Sequence, residues 1–324
     1  MARIVMTGAT GFIGQHLTRR LAAAGHELGC LIRGGSSPLF REGNIRWIVA
    51  DLRDPVTYRD SLRDADYVIH LAGVIDARRA DEYRAANVEA TESLLQACLG
   101  VGAPRRRFLF VSSIAAMGPS YTGELLSESS TCHPETEYGQ SKAKAEELCL
   151  AHAHALPIVI LRPSFVYGRG DYRGLKMLDG LLGNAPSPWP QSVRTISLCH
   201  VSDLLEACLA SLERRLRPGE TFLISDPAIY TWDAIRNVLI DVLDDLLPGW
   251  KMGDAGPARP PRQFPVRAQG WACDISHAVE GLGFRARVPL PAGARDTIEW
   301  YIREGLLAGR LPSQDPLAER GAAR

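Results

Sequence analysis

An apolar strand that runs directly into a turn with glycine at three fixed positions, and from there into a helix, leaves a chain few folds to choose from. Here Arg3-Ile4-Val5-Met6 leads into Thr7-Gly8-Ala9-Thr10-Gly11-Phe12-Ile13-Gly14 and then a helical stretch to Ala24. Gly8 permits the tight strand-to-helix turn, Gly11 lets backbone amides approach a pyrophosphate, and Gly14 lets the helix pack close to the sheet. The helix N-terminus then offers free N–H groups and the positive end of its dipole to phosphates. A glycine trio alone also fits a bare structural turn. The strand before it, the helix after it and its place at the start of the chain favour dinucleotide binding.

The rest of the first half continues that pattern. Strands are expected at 3–7, 28–32, 45–50, 66–71, 107–112 and 158–162, with helices at 12–24, 55–63, 80–100 and 137–153. Such alternation calls for a parallel sheet with helices on both faces, an α/β Rossmann-type doubly wound fold. After Gly168 the pattern changes. Residues 169–195 carry Pro186, Pro188 and Pro190 and are expected to break regular structure. A helix (202–215), a strand (221–225) and a helix (231–247) follow, then a Pro/Gly-rich loop at 253–265 and a last helix at 291–307. The expected division is a dinucleotide-binding domain at 1–168 and a smaller C-terminal substrate lobe at 169–311, with some chain returning to the core. A disordered tail is expected at 312–324.

The end of the second strand bears on which dinucleotide is bound. An NAD site usually places an acid there for the ribose 2′-OH, but this strand ends Leu31-Ile32-Arg33-Gly34-Gly35. Arg33 suits a 2′-phosphate by charge and geometry, which favours NADP. An arginine stacked on the adenine would accept NAD instead.

Glu137-Tyr138-Gly139-Gln140-Ser141-Lys142 opens a helix and puts Tyr138 and Lys142 one turn apart on one face. An ammonium beside a phenol favours the phenolate, so Lys142 is expected to lower the Tyr138 pKa and suit it to proton exchange with an alcohol or carbonyl. Val111-Ser112-Ser113 ends the preceding strand, where a serine hydroxyl could hold the substrate oxygen.

Taken together these residues resemble the extended short-chain dehydrogenase/reductases, the NAD-dependent epimerase/dehydratase family, over nearly the whole chain. Ala50-Asp51-Leu52-Arg53-Asp54 is similar to the family's adenine-contacting segment, and His70-Leu71-Ala72-Gly73 to the strand end passing the adenosine ribose. Asn87-Val88-Glu89-Ala90-Thr91 resembles the central helix, where the Asn helps hold the active-site strand. Leu161-Arg162-Pro163-Ser164-Phe165-Val166-Tyr167-Gly168 resembles the stretch beside the nicotinamide. His200-Val201-Ser202-Asp203 and Leu282-Gly283-Phe284 with Trp300-Tyr301 are similar to markers of the substrate lobe. The resemblance implies cofactor contacts at Gly8, Thr10, Gly11, Phe12, Ile13, Gly14, Arg33, Asp51, Leu52, Leu71, Ala72, Gly73, Asn87, Tyr138, Lys142, Pro163 and Val166. It implies Ser113, Tyr138 and Lys142 as the catalytic residues. Counting back from Gly118, which matches the glycine of the family's Tyr-Gly pair, selects Ser113 over Ser112. Met117 replaces the tyrosine of that pair and is expected to alter the substrate pocket. The resemblance also implies a homodimer, built from the helices at 80–100 and 137–153.

Two positions depart from the nucleotide-sugar members. Phe165 stands where those carry Asn, and Ile196 where they tend to carry Arg, with Arg194 two residues away. Both changes remove polar groups suited to a diphosphate. The Arg-Pro-x-x-Val-Tyr-Gly form instead resembles the branch of dihydroflavonol reductases and 3β-hydroxysteroid dehydrogenases. The leading expectation is therefore hydride transfer between NADP(H) and a secondary alcohol or ketone. A nucleotide-sugar 4-epimerase or dehydratase with retained NAD is the alternative, and a dinucleotide sensor without turnover is disfavoured by the intact Ser, Tyr and Lys.

Composition serves to exclude. Lys+Arg and Asp+Glu both number 37, so no net charge draws the chain to nucleic acid or an anionic membrane. The basic run Arg105-Arg106-Arg107 is expected to be a solvated loop. Seven scattered cysteines show no metal spacing and suit reduced thiols in a cytoplasm. No apolar run approaches the ~18 residues that span a bilayer.

Overall fold

The computed structural model describes residues 1–36, 40, 42–181, 193–250 and 269–307. Pro186, Pro188 and Pro190, the expected loop at 253–265 and the tail from Pro312 lie outside the described residues. The strands are β1 (Arg3–Thr7), β2 (Glu27–Ile32), β3 (Ile45–Val49), β4 (Tyr67–His70), β5 (Arg107–Val111), β6 (Ile158–Pro163), β7 (Phe165–Tyr167), β8 (Val193–Ile196), β9 (Leu198–His200), β10 (Glu220–Ile224) and β11 (Gln269–Trp271). Seven of them form one parallel sheet in the order β10-β6-β5-β4-β1-β2-β3. The pairs β7–β9 and β8–β11 stand apart from it.

The helices are α1 (Phe12–Ala23), α2 (Arg59–Leu62), α3 (Ala80–Tyr83), α4 (Ala90–Val101), α5 (Glu137–His152), α6 (Gly174–Leu181), α7 (Val201–Glu213), α8 (Trp232–Leu246), α9 (Ser276–Leu282) and α10 (Leu290–Arg303). Both faces of the large sheet are covered, so its central strands are mostly apolar runs. Ile4 and Met6 of β1 belong to a core with Leu17, Leu204 and Leu282 of α1, α7 and α9. Val5, pointing the other way, belongs to a core with Leu62, Leu94, Cys98 and Ala145 of α2, α4 and α5. A third core gathers Leu178, Ile196, Leu239, Ile298 and Tyr301 from α6, β8, α8 and α10.

Several elements differ from expectation. The helix expected at 55–63 splits into a 3-10 turn, Pro55–Thr57, and the single turn of α2, because Asp54 caps early by accepting from Val56 N at 3.2 Å. The helix expected at 80–100 is α3, a π-helical turn over Arg84–Glu89, and α4. The stretch 169–195 holds α6 and the start of β8 rather than breaks throughout. Of the run Arg105–Arg107, Arg105 and Arg106 are exposed before β5, as expected of a solvated loop, with Arg106 over the Tyr67 ring. Arg107 instead opens β5, is buried, and its guanidinium donates to the carbonyls of Arg214 (2.9 Å) and Leu216 (3.5 Å) beyond the end of α7. All seven cysteines are free thiols. Among the described residues no His/Cys/Asp/Glu group could hold a metal, and no helix is long and apolar enough to cross a membrane.

Candidate active site

Strand order reverses between β1 and β4, so the chain leaves their C-terminal ends in opposite directions and opens the crevice where such sheets take ligands. Gly8 lines it at φ +71°, and a Cβ there would come within 2.6 Å of Ala72 N. A Cβ on Gly14 would lie 2.0 Å from the Gly8 carbonyl, so only glycine lets α1 approach the turn. No side chain caps α1 at Gly11, which leaves its first amides, at Phe12, Ile13 and Gly14, open to an anion. Thr10, Phe12 and Ile13 are half-buried beside them. This turn, in which a Cβ at Gly8 or Gly14 would clash with backbone, fits a dinucleotide pyrophosphate.

Arg33 is exposed at the end of β2, and its guanidinium makes no hydrogen bond or ion pair among the described residues. Asp51, after β3, accepts from Arg53 N at 3.0 Å and pairs with its guanidinium at 3.3 Å, which holds the carboxyl below its usual range. The neighbouring Leu52 carbonyl takes the Tyr58 hydroxyl at 2.9 Å. Leu71 and Ala72 are half-buried beyond β4, with Gly73 exposed after them.

Below this end lies a buried polar chain. Ala72 N donates to Thr7 Oγ1 (3.1 Å), which meets His70 Nδ1 (2.7 Å); His70 Nε2 meets Thr91 Oγ1 (2.9 Å), which donates to the Asn87 carbonyl (2.6 Å). The Thr91 hydroxyl spends its proton on Asn87, so His70 must donate from Nε2 and accept at Nδ1. Burial holds His70 neutral, its pKa pulled down to about 3, with the Lys142 charge acting the same way.

The buried Asn87, set in the π turn, carries the chain on. Its Oδ1 accepts from Val74 N (2.7 Å), and its Nδ2 donates to the Val74 carbonyl (3.0 Å) and to Ser141 Oγ (2.8 Å). Ser141 in turn donates to the Tyr138 carbonyl at 2.7 Å. α5 begins where it does because Thr136 Oγ1 accepts from Gly139 N at 2.9 Å, and this places Tyr138 in the first turn. Ser113 Oγ accepts from Ala115 N at 3.1 Å and is hydrogen-bonded to the Tyr138 phenol. Lys142 Nζ donates to the Val111 carbonyl at 2.9 Å and lies 4.3 Å above the Phe110 ring.

Burial lowers the Lys142 pKa to about 8, with Glu146 opposing. The Tyr138 pKa is raised, not lowered as expected: burial outweighs the Ser113 hydrogen bond and the Arg173 charge. The expected lowering by Lys142 is missing because its ammonium is turned toward Val111 rather than the phenol.

A cleft of about 490 Å³ beside Tyr138 is lined by Ile75, Arg78, Tyr83 and Thr136. Tyr83 sits 6.3 Å ring to ring from Tyr138 and holds this wall by accepting from Ala77 N and donating to the Ile75 carbonyl. Pro163 is buried at the end of β6, and Val166 is half-buried in β7. Between them Phe165 is 39% exposed and meets Trp271 edge-on at 5.9 Å. Ile196 is buried and Arg194 exposed. Met117, expected to alter the pocket, is buried in the core. Sequence reasoning passed over Thr7, Thr91 and Tyr83. The signal for the threonines was His70 itself, since a histidine ending the apolar strand Tyr-Val-Ile-His needs two partners.

Residues 4–225 match the model of the NAD dependent epimerase/dehydratase family. The UDP-glucose 4-epimerase of Vibrio cholerae is 26% identical over 319 residues, covering 93% of this chain and 95% of that protein. The ceramide reductase of Caulobacter vibrioides is 29% identical over 333 residues, covering 94% and 96%. The solved structure of MoeE5 in complex with UDP-glucuronic acid and NAD is similar at TM-score 0.79 and 27% identity, over 93% of this chain and 99% of that one.

Proposed function

Because this chain belongs to the NAD-dependent epimerase/dehydratase family, we propose that it is an oxidoreductase moving a hydride between a nicotinamide dinucleotide and a secondary alcohol or ketone. The glycine turn with Thr10, Phe12 and Ile13 holds the pyrophosphate. Asp51, Leu52, Leu71, Ala72 and Gly73 flank the adenosine, and Arg33 selects NADP. Pro163 and Val166 lie beside the nicotinamide, which supplies or accepts the hydride when bound. Asn87 fixes the first turn of α5 against the loop after β4. Tyr138 gives its proton to the substrate oxygen in reduction and takes it back in oxidation, while Ser113 orients that oxygen. Lys142 orients the ribose. Residues 1–168 carry the cofactor and 169–311 the substrate contacts.

The observation that carries this reading is Phe165, half-exposed beside Trp271 where a polar side chain would serve a diphosphate. Purified protein mixed with NADPH and aromatic or steroidal ketones is expected to consume the reduced nicotinamide and to leave UDP-glucose unchanged. Conversion of UDP- or dTDP-sugars by protein that copurifies with NAD, without consumption of NADPH, would overturn it.

That outcome is the second reading, a nucleotide-sugar 4-epimerase or dehydratase, favoured by the near full-length matches to the Vibrio epimerase and to MoeE5. In either case two copies are proposed to pair through α4 and α5, where Leu150 is 45% exposed. Sedimentation as a 35.4 kDa monomer at micromolar concentration counts against that pairing.

A further inference from the structure

Of the chain's 37 cationic side chains only four are lysines, at 142, 144, 176 and 251, and Lys142 is 4% exposed. A buried ammonium is costly unless it is paired. The groups that touch it are the Val111 carbonyl and the face of Phe110, and neither is an anion. The anion lies one helical turn further along α5, at Glu146, itself 3% exposed. Arg162 of β6 grips that carboxylate as a fork: Nε is 3.1 Å from both oxygens and Nη2 is 2.6 Å from Oε2. The proton transfer proposed above makes no use of this pair.

We propose that the Glu146–Arg162 pair is a positioning device for Lys142: Arg162 fixes the carboxylate, and the carboxylate keeps the ammonium charged inside the core. The inference rests on the reading of Lys142 as the residue that orients the ribose. Burial is what draws Lys142 down, and Glu146 is the largest influence raising it. The other groups facing it carry no charge to substitute. Burial pushes the Cys149 thiol, further along α5, well above its usual range. His70, from β4, is neutral down to about pH 3. The Tyr138 phenol, one turn back, is also raised. Glu128 and Cys132, in the segment before α5, act on Arg162. Removing the two members of the pair should therefore have effects of opposite sign. Without Glu146 the ammonium loses its anion and the buried Arg162 cation is left unpaired in the same core; without Arg162 as well, that second uncompensated charge goes too.

With four lysines, the protein labelled with ¹³C at the lysine ε-carbons gives four signals, and Lys142→Met assigns the one that matters. Wild-type Lys142 is expected to titrate at about 8. Glu146→Gln should move it down by about one to two pH units, and the double variant Glu146→Gln/Arg162→Gln should fall between. Exposed Lys144 should not move, and the alkaline limb of kcat/KM should shift in the same order. Should Glu146→Gln fail to fold, Glu146→Asp, which keeps the charge, is expected near wild type with the double variant below it. One midpoint for Lys142 in all folded variants overturns the proposal, even where activity falls. Full turnover in Lys142→Met instead overturns the reading of Lys142 and leaves the order of titrations standing.

Discussion

The crevice at the ends of β1 and β4 is built from polar groups that satisfy one another, whereas the wall where β7, β8 and β11 bring Phe165, Ile196 and Trp271 together is apolar. In the crevice one chain of contacts runs from Ala72 through Thr7, His70, Thr91, Asn87 and Ser141 to the backbone of Tyr138. At the wall, Phe165 meets Trp271 and Ile196 is buried. Hydrogen bonds fix direction, so the crevice tolerates few residue types at each place and leaves short motifs in the sequence. Apolar contact fixes shape alone, and many sequences supply a shape. Chemistry should therefore fail sharply when the crevice is altered and only gradually when the wall is.

The largest effect is expected at Tyr138. Tyr138→Phe keeps the ring and removes the hydroxyl that meets Ser113, so turnover should fall about 10²- to 10⁴-fold or more while dinucleotide affinity stays near wild type. Steady-state rates with parallel cofactor titrations check this. Retention of more than about a tenth of the activity would remove Tyr138 from the acid/base role.

Arg33 comes next. A 2′-phosphate can take paired, charge-assisted hydrogen bonds from its exposed guanidinium, so Arg33→Ala should weaken NADP(H) by roughly 10- to 100-fold. NAD(H), with a hydroxyl there, should change much less. Equal losses at one ionic strength would mean that Arg33 only stacks on the adenine, and a wild type that already prefers NAD would sink the NADP assignment.

How much of this was legible follows the same divide. β1, β2 and β4 to β6 were readable because burial on both faces makes them largely apolar runs, and the edge strand β3 because Ile45, Trp47, Ile48 and Val49 still dominate it. The glycine turn was readable because Gly8 and Gly14 leave no room for a Cβ. Ser113, Tyr138 and Lys142 were readable as a group, yet the shift of the Tyr138 pKa was not. Spacing places Lys142 on the right face but does not say that its ammonium turns to the Val111 carbonyl. The π turn that seats Asn87 adds no unusual composition, so 3.6-residue periodicity passes over it. Arg107 looked like part of a charged loop because its acceptors, the carbonyls of Arg214 and Leu216, lie more than 100 residues away in sequence. α6 and β8 border Pro-rich sequence that masked them.

Stability against pH offers a third comparison, since His70 is buried beneath the crevice and His200, in β9, is buried against Tyr167 of β7. Burial lowers the pKa of His70 to about 3, and it lowers that of His200 against the opposing charges of Asp296 and Asp203. A histidine depressed in the fold titrates at ~6.5 once unfolded, so its contribution is complete above that pH and is lost as pH falls toward its folded pKa. For His70 the loss is about 1.4 kcal/mol per pH unit below ~6.5. Urea midpoints at about pH 7 and about pH 5.5 should show His70→Asn flattening this slope more than His200→Asn. Equal flattening would mean that the crevice histidine is no more tightly held than the one beside the wall.

The smallest effect is expected at the wall itself. An edge-to-face aromatic contact contributes about 0.5–1.5 kcal/mol beyond burial, and Phe165 already spends one edge on Trp271. Its exposed remainder can offer an aromatic substrate a contact of the same size. Phe165→Ala should then raise KM for an aryl ketone about 2- to 10-fold and leave kcat for a small aliphatic ketone unchanged, because Ser113 and Tyr138 do not touch it. Phe165→Asn should cost the aryl ketone as much. If Phe165→Asn instead brings UDP-sugars into turnover, the wall has been excluding a diphosphate, and the nucleotide-sugar reading gains. If Phe165→Ala leaves the aryl-ketone KM where it was, substrate does not rest on this wall, and its apolar character reflects packing alone.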